Sequence, residues 1–214
     1  PARAEENWNP AVNMGPVINS PSTEKAPEIS PDGLTLYFSH HSPQGDINIF
    51  YSQWDGAAWG PPIDIGGVVN SPRGDWGPTL AGDGNTMYFA SDRPGGYGGY
   101  DIYVTRRIGG VWQPPQNVGP TINSNVGELG QDTNPEETVL WFVRGWPESR
   151  PTDEDIFHSL KVGGQWTTPV LWELDTPYLE DNPDISPDGN KLYFTAIYDT
   201  IYGGGYGSFD IWLS

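Results

Sequence analysis

The sequence repeats one unit four times, and this repetition restricts the possible folds more than any other feature of the chain. Each copy has a polar turn, at 30–33, 81–84, 134–137 and 186–189, and then a short apolar strand with two adjacent aromatic residues. The aromatic pairs are Tyr37 and Phe38, Tyr88 and Phe89, Trp141 and Phe142, and Tyr193 and Phe194. A fixed spacing of this kind indicates a repeat architecture, in which each unit buries its apolar surface against the next.

Two further strands follow in each unit. One begins with Asp-Ile at Asp46, Asp101, Asp155 and Asp210, spaced 55, 54 and 55 residues apart. The other is headed by Trp at Trp59, Trp112 and Trp166, and its fourth copy opens the chain at Trp8. The last unit therefore has three strands at the C-terminus and its fourth at the N-terminus. A ring that closes in this way leaves no open sheet edge.

The sequence thus predicts an all-β fold, a β-propeller of four blades with four antiparallel strands each, closed when the N-terminal strand joins the C-terminal blade. We expect one domain over residues 1–214, with blade repeats at 24–70, 75–123, 132–174, and 180–214 plus 8–18. An alternative stays open at this point, because the strand at Trp8 would satisfy the same edge in a strand-swapped dimer. We expect a monomer.

The SPDG turn, the Tyr-Phe strand and the loop SDRPGGYGGYDIYV at 91–104 resemble the TolB-type Pro-Asp-Gly branch of WD-like propeller repeats. The resemblance covers nearly the whole chain and is specific in units one, two and four, whereas NPEETVLWF in unit three lacks the Asp-Gly turn. TolB propellers have more blades than four, so the resemblance supports the blade architecture and not the ring size. It implies a bacterial protein that is periplasmic, on the cell surface or secreted.

The charge of the chain excludes several partners. Its 28 acidic and 10 basic residues give a formal net charge of −18, which repels phosphate backbones and anionic lipid surfaces. We therefore expect no nucleic acid partner. We expect no membrane insertion, since no segment approaches the roughly 18 apolar residues that span a bilayer. The absence of cysteine excludes disulfides and thiolate metal sites.

A carboxylate precedes a proline by three residues in each unit, when the units are aligned on Pro27, Pro78, Pro135 and Pro183. Four such groups around a narrow axis would repel one another unless they shared protons or a cation. Calcium or another hard cation suits this all-oxygen setting. The alternative is that each carboxylate caps a turn or lies in solvent. The predicted metal ligands are Glu24, Asp75, Asp132 and Glu180.

A ligand site is predicted on the loops at one end of the ring, where two glycine-rich tyrosine loops of opposite blades would face each other. Aromatic faces with nearby donors suit a glycan or a peptide, and glycine lets a ligand approach the backbone. The alternative is that the tyrosine and glycine residues serve only the fold. The candidate ligand-binding residues are His40, His41, Trp76, Arg93, Tyr97, Tyr100, Arg144, Trp146, Arg150, Tyr202 and Tyr206.

The sequence favours a non-catalytic module for binding or scaffolding, because it has no cysteine and no HExxH or GxSxG motif. The repeated Asp101 and its counterparts are assigned to turns inside the blades, since a residue present in every unit serves the repeat. One alternative is a carbohydrate-active hydrolase or lyase that uses two ring carboxylates. Another is a purely structural module.

Overall fold

The structure, a computed structural model, describes residues 10–42, 45–145, 155–172, 180–196 and 210–214. These residues form four antiparallel sheets in chain order, which confirms the four-bladed β-propeller. The first strand of each sheet is its innermost, and these strands pack side by side from blade one to blade four. Among the described residues there is no helix that is long and apolar enough to cross a membrane.

The strands of blades one and two follow the sequence repeat. Blade one contains β1 (Thr23–Ile29), β2 (Thr35–His41), β3 (Ile47–Gln53) and β4 (Ile63–Asp64). Blade two contains β5 (Asp75–Leu80), β6 (Thr86–Ser91), β7 (Asp101–Ile108), β8 (Val111–Trp112) and β9 (Gln116–Asn117).

Blades three and four continue the ring. Blade three contains β10 (Glu128–Thr133), β11 (Val139–Arg144), β12 (Asp155–Val162), β13 (Gln165–Trp166) and β14 (Val170–Leu171). The described part of blade four contains β15 (Glu180–Ile185), β16 (Leu192–Ala196) and β17 (Asp210–Leu213).

The recurring aromatic pair builds the core between the blades, because successive side chains of a strand point to opposite faces of its sheet. Tyr37 packs with Phe89 between blades one and two. Tyr88 packs with Phe142 between blades two and three. The first aromatic residue of a pair therefore faces the following blade and the second faces the preceding one. Each fully buried aromatic side chain of this kind stabilises the fold by about 2–3 kcal/mol.

In two connections between blades, an asparagine side chain makes two hydrogen bonds to the backbone of one residue. We call this arrangement an asparagine clamp. Asn70 accepts the backbone N–H of Ile49 at 2.9 Å and donates to its carbonyl at 3.0 Å. Asn123 makes the same pair of bonds to Ile102, both at 2.9 Å. These side-chain-to-backbone contacts tie each connection to the third strand of the blade that precedes it.

The register of blade one corrects the alignment of its third strand. Phe50 and Tyr103 pair with the second aromatic residue of their own blades, so the residues two positions before them are equivalent. These are Asn48 and Asp101. Asp46, which the sequence spacing had matched with Asp101, lies instead in the turn before β3. The shorter loop of blade one shifts the Asp-Ile motif by two residues.

The predicted closing strand begins at Trp8, which lies outside the described residues. Residues 10–22 are described and contain no strand. They do keep the turn of the other units, since Asn13 Oδ1 accepts the N–H of Gly15 at 2.8 Å, as Asn117 Oδ1 does for Gly119. Closure of the ring by the N-terminal strand stays a prediction.

Candidate functional site

All four innermost strands carry a β-bulge at the same place. The bulge residues are in the left-handed region, with φ between 49° and 63°: Ala26, Gly77, Gly130 and Asn182. Only two of the four are glycine, so the conformation is imposed by the strand and not by residue type. The backbone is therefore repeated four times around the axis.

The side chains just before the bulges are not repeated. They are Lys25, Trp76, Leu129 and Asp181, which are a cation, an aromatic ring, an aliphatic chain and an acid. Residues that serve only the repeat recur from unit to unit, as the aromatic pairs do. The difference at this position is the first sign of a specific site.

A cavity of about 770 Å³ lies along the axis and receives residues from all four blades. We call it the axial cavity. Two side chains lie beside the Trp76 ring in this cavity. The centroid of the His41 ring is 5.3 Å from that of Trp76, and the Lys25 ammonium is 5.5 Å from the Trp76 centroid. The cavity is lined by Lys25, Ala26, Pro27, His41, Ile47, Trp76, Tyr100, Leu129, Gly130, Val143, Asp181, Asn182 and Thr195.

A second, smaller space of about 130 Å³ adjoins the axial cavity. The two share lining residues, including Trp76 and the bulge residues of three blades. We call this space the acidic chamber and define it by its polar lining: Glu28, Thr79, Gln131, Asp132 and Asp184.

Burial in the chamber changes the protonation of its carboxyl groups. Burial, together with repulsion from Asp132 and Asp184, raises the pKa of Glu28 to about 8. Burial and the Asp184 carboxylate raise the pKa of Asp132 to about 7. Each group also joins neighbouring blades, since Glu28 accepts the N–H of Leu80 at 2.8 Å and Asp132 accepts that of Ile185 at 2.7 Å.

The four predicted metal ligands do not occupy the same position in the repeat. Glu24, Asp75 and Glu180 occupy equivalent places at the start of their innermost strands, but their counterpart in blade three is Glu128. Asp132 is equivalent to Glu28 and faces the axis. The alignment failed because Pro135 lies in the turn after β10, whereas the other prolines lie within strands.

Two of the carboxylates at the strand starts, Asp75 and Glu128, lie beside an arginine of their own blade. Asp75 accepts Arg93 Nη2 at 2.7 Å, and Arg93 also donates to the Val69 carbonyl at 2.7 Å. Glu128 accepts Arg144 Nε at 2.9 Å, and Arg144 donates to the Ile122 carbonyl at 2.6 Å. These contacts tie each blade to the connection that precedes it.

Blade one has a histidine in this arrangement. His40 Nδ1 lies 3.0 Å from Glu24, and Ser20 donates to the same carboxylate at 2.5 Å. The candidate ligand-binding residues His40, Arg93 and Arg144 are thus placed in repeated contacts between blades and their connections. Their binding role stays untested.

The described His, Asp and Glu side chains form no group of three or more that could hold one metal ion. The calcium site predicted from the sequence stays a prediction, with Asp132 the one predicted ligand that lines the acidic chamber.

The tyrosine loop of blade two is fixed by Asp101. This buried carboxylate accepts the N–H groups of Tyr97 at 2.6 Å and Gly98 at 3.3 Å and the amide of Asn117 at 2.8 Å, which confirms its assignment to an intrablade turn. Gly98 lies against the Val126 carbonyl so closely that no side chain fits there. These contacts hold the backbone of the loop against the start of β7 and the connection at 124–126.

The two tyrosines of this loop have different surroundings. Tyr97 is half exposed, whereas Tyr100 lines the axial cavity, and burial raises the pKa of its hydroxyl. Of the candidate ligand-binding residues, the structure brings His41, Trp76 and Tyr100 together at the cavity. Trp146, Arg150, Tyr202 and Tyr206 lie outside the described residues.

Sequence reasoning missed Lys25, Leu129 and Asp181 in the cavity and Glu28 and Asp184 in the chamber. Their position in the repeat could have identified them. The cavity residues lie one residue after the strand-start carboxylate of their blade, and the chamber residues lie four residues after it. That position becomes visible only when Glu128 replaces Asp132 in the alignment, because the correct register then places Leu129 beside Trp76 in the repeat.

The sequence matches neither a known protein family nor a curated protein. Solved structures do match. A putative TolB from Agrobacterium tumefaciens is 21% identical with a TM-score of 0.55, and covers 86% of this chain and 58% of its own. TolB from Acinetobacter baumannii is 16% identical with a TM-score of 0.60, and the corresponding shares are 92% and 42%.

A puromycin-hydrolysing peptidase from Mycobacterium tuberculosis also matches, at 16% identity and a TM-score of 0.51, over 85% of this chain and 29% of the peptidase. The chain spans about half the length of the two TolB structures. At these identities the similarity shows the propeller fold alone. Membership of the TolB-type repeat family stays a prediction.

Proposed function

We propose that this protein is a non-catalytic binding module whose axial cavity receives a segment of another molecule. The observation that carries the proposal is the set of four unlike side chains, Lys25, Trp76, Leu129 and Asp181, at one position of an otherwise repeated backbone. Pockets that bind ligands are concave and mainly apolar, with a few polar groups that fix orientation. The axial cavity has this character.

A peptide segment fits the lining better than a glycan. Pro27, Ile47, Leu129 and Val143 contribute aliphatic surface, which suits the apolar side chains of a peptide better than the hydroxyl groups of a sugar. Trp76 supplies the large flat surface that anchors many protein interfaces. We therefore favour a peptide and retain a glycan as the comparison ligand.

The test is selection of peptides from a displayed heptapeptide library, followed by calorimetric titration of the selected peptide. Trp76→Ala should weaken binding at least about tenfold, as at other aromatic anchors. Trp54→Ala is the matched control, since Trp54 pairs with Trp59 in the outer turn of blade one and not at the axis. Equal losses in both variants, or a library that yields no binder, would contradict the proposal.

A hydrolase is the second candidate, and one observation favours it. Burial and neighbouring carboxylates raise the pKa of Glu28 to about 8 and that of Asp132 to about 7, and a raised carboxyl pKa suits a general acid. Both groups, however, accept backbone N–H groups of the next blade, which gives them a structural role. Cleavage of oligosaccharides or peptides by the parent protein, lost in Glu28→Gln, would favour the hydrolase.

The resemblance to TolB-type repeats supports a place in the bacterial envelope or outside the cell. We propose a monomer that is periplasmic, on the cell surface or secreted. Fractionation of the native host and light scattering of the purified protein test these two statements.

A further inference from the structure

The axial cavity and the acidic chamber are consecutive parts of one space. Ala26, Pro27, Trp76, Gly130 and Asn182 line both. A ligand that occupies both parts therefore contacts an apolar wall in the cavity and an acidic lining in the chamber. An apolar surface next to an acidic one complements a long side chain that has an apolar stem and a cationic end.

The chamber brings three carboxyl groups together. Glu28, Asp132 and Asp184 come from three different blades, and each interacts electrostatically with another of the three. The described lining of the chamber includes no lysine or arginine. Lys25 lines the cavity and not the chamber. A cationic group in the chamber would relieve the repulsion between these carboxyl groups and lower their raised pKa values, which favours their ionised forms.

A separate observation shows an unused acceptor beside these carboxyl groups. Gln131 lines the chamber, is only 4% exposed, and donates through Nε2 to the Gly77 carbonyl. Its Oε1 atom is buried and has no hydrogen-bond partner among the described residues. Buried polar atoms normally have partners, so this oxygen marks a place for a donor.

We propose that the ligand of the axial cavity is a peptide segment with a Lys or Arg side chain, whose stem lies against the cavity lining and whose cationic end enters the acidic chamber. This inference rests on the proposed function and adds the class of ligand. The charge of the whole chain, −18, also steers a basic segment towards the protein.

A side-chain cation suits the chamber better than a bare metal ion. No three described carboxylate or histidine groups are close enough to hold one ion. An ammonium has three donors and a guanidinium five, which reach several separated acceptors. A chamber of about 130 Å³ also accommodates such a group.

The experiment uses four heptapeptide libraries that have Lys, Arg, Leu or Glu at the central position and random residues elsewhere. The best binder of each library is titrated into the full chain by calorimetry. Peptides with Lys or Arg should bind at least about tenfold more tightly than their Leu counterparts, as expected for hydrogen bonds to charged groups.

Two variants test the location. Glu28→Gln and Asp132→Asn each keep an oxygen for the N–H that the parent carboxyl accepts, but remove a carboxyl group that can ionise beside a cation. Both should abolish the preference for Lys over Leu and leave affinity for the Leu peptide unchanged. Glu24→Gln, which removes a carboxylate beside His40 and outside the chamber, should keep the preference.

The outcomes separate the two proposals. Failure of every library contradicts the peptide-binding module. Equal or tighter binding of the Leu peptide leaves the module intact and overturns the basic ligand. Displacement of the Lys peptide by calcium chloride alone, at constant ionic strength, would make the chamber a metal site and would also overturn it.

Discussion

Replacing Arg93 with methionine should be one of the most destabilising single changes in blade two. Asp75 has no exposed side-chain surface, and it accepts the Ser71 N–H at 2.5 Å and Arg93 Nη2 at 2.7 Å. Arg93→Met keeps most of the aliphatic stem but removes the guanidinium, which lies over the rings of Phe89 and Tyr103, and so leaves the buried carboxylate without its cation.

The size of the effect follows from the burial of Asp75. Breaking a buried ion pair by removing one partner costs about 3–5 kcal/mol, because the remaining charge is uncompensated. A domain of about this length loses roughly 2–4 °C of melting temperature per kcal/mol, so the expected decrease is about 6–20 °C. Such a loss is a large part of a total stability of about 5–15 kcal/mol.

The assay is urea unfolding of the parent, Arg93→Met, Asp75→Asn and the double variant. The double variant has no unpaired charge, so it should be more stable than the sum of the two single losses predicts, with a coupling of about 0.5–3 kcal/mol. A melting temperature of Arg93→Met within about 2 °C of the parent, or strict additivity in the cycle, would refute the reasoning.

Three further predictions follow from the same geometry. Asp101→Ala should cost about 2–3 kcal/mol in urea unfolding because two loop N–H groups and an amide lose their acceptor, whereas Asp46→Ala in an exposed turn should cost less than about 0.5 kcal/mol. Because burial raises the pKa of Glu28 to about 8, the native state keeps a proton that the unfolded chain loses above about pH 4.5. Stability should therefore fall as pH rises from about 4.5 to 8, and Glu28→Gln should flatten this slope; an unchanged slope would contradict it. The calcium site predicted at Asp132 has its own test: calcium at about one hundred times its dissociation constant would add about 2.7 kcal/mol and Asp132→Asn would abolish that gain, whereas equal melting temperatures in calcium and in chelator exclude the site.

The fold was predictable because the residues that recur in the sequence are those that every blade needs for its packing and hydrogen bonds. The aromatic pairs pack between blades, and clamps such as Asn70 and Asn123 recur with them. A polar turn and a pair of aromatic residues at a constant spacing are enough to count blades.

The candidate site was predictable only in part, because its register depends on backbone irregularities. The bulges and the variable loops shift motifs by a few residues, so that Asp46 was matched with Asp101, and Asp132 with Glu24. Trp76 was recognised from the sequence. Leu129 was not, because a single leucine in a strand has no sign that distinguishes a cavity wall from ordinary core.

The most direct test of the axial binding site is a methyl NMR titration of the unmodified full chain with the selected peptide. The account predicts saturable shifts for the methyl groups of Leu129 and Val143, which line the cavity, and none for Val111 and Val162, which lie exposed in the outer parts of their blades. Shifts confined to the outer valines, with Leu129 and Val143 unchanged at saturation, would contradict it.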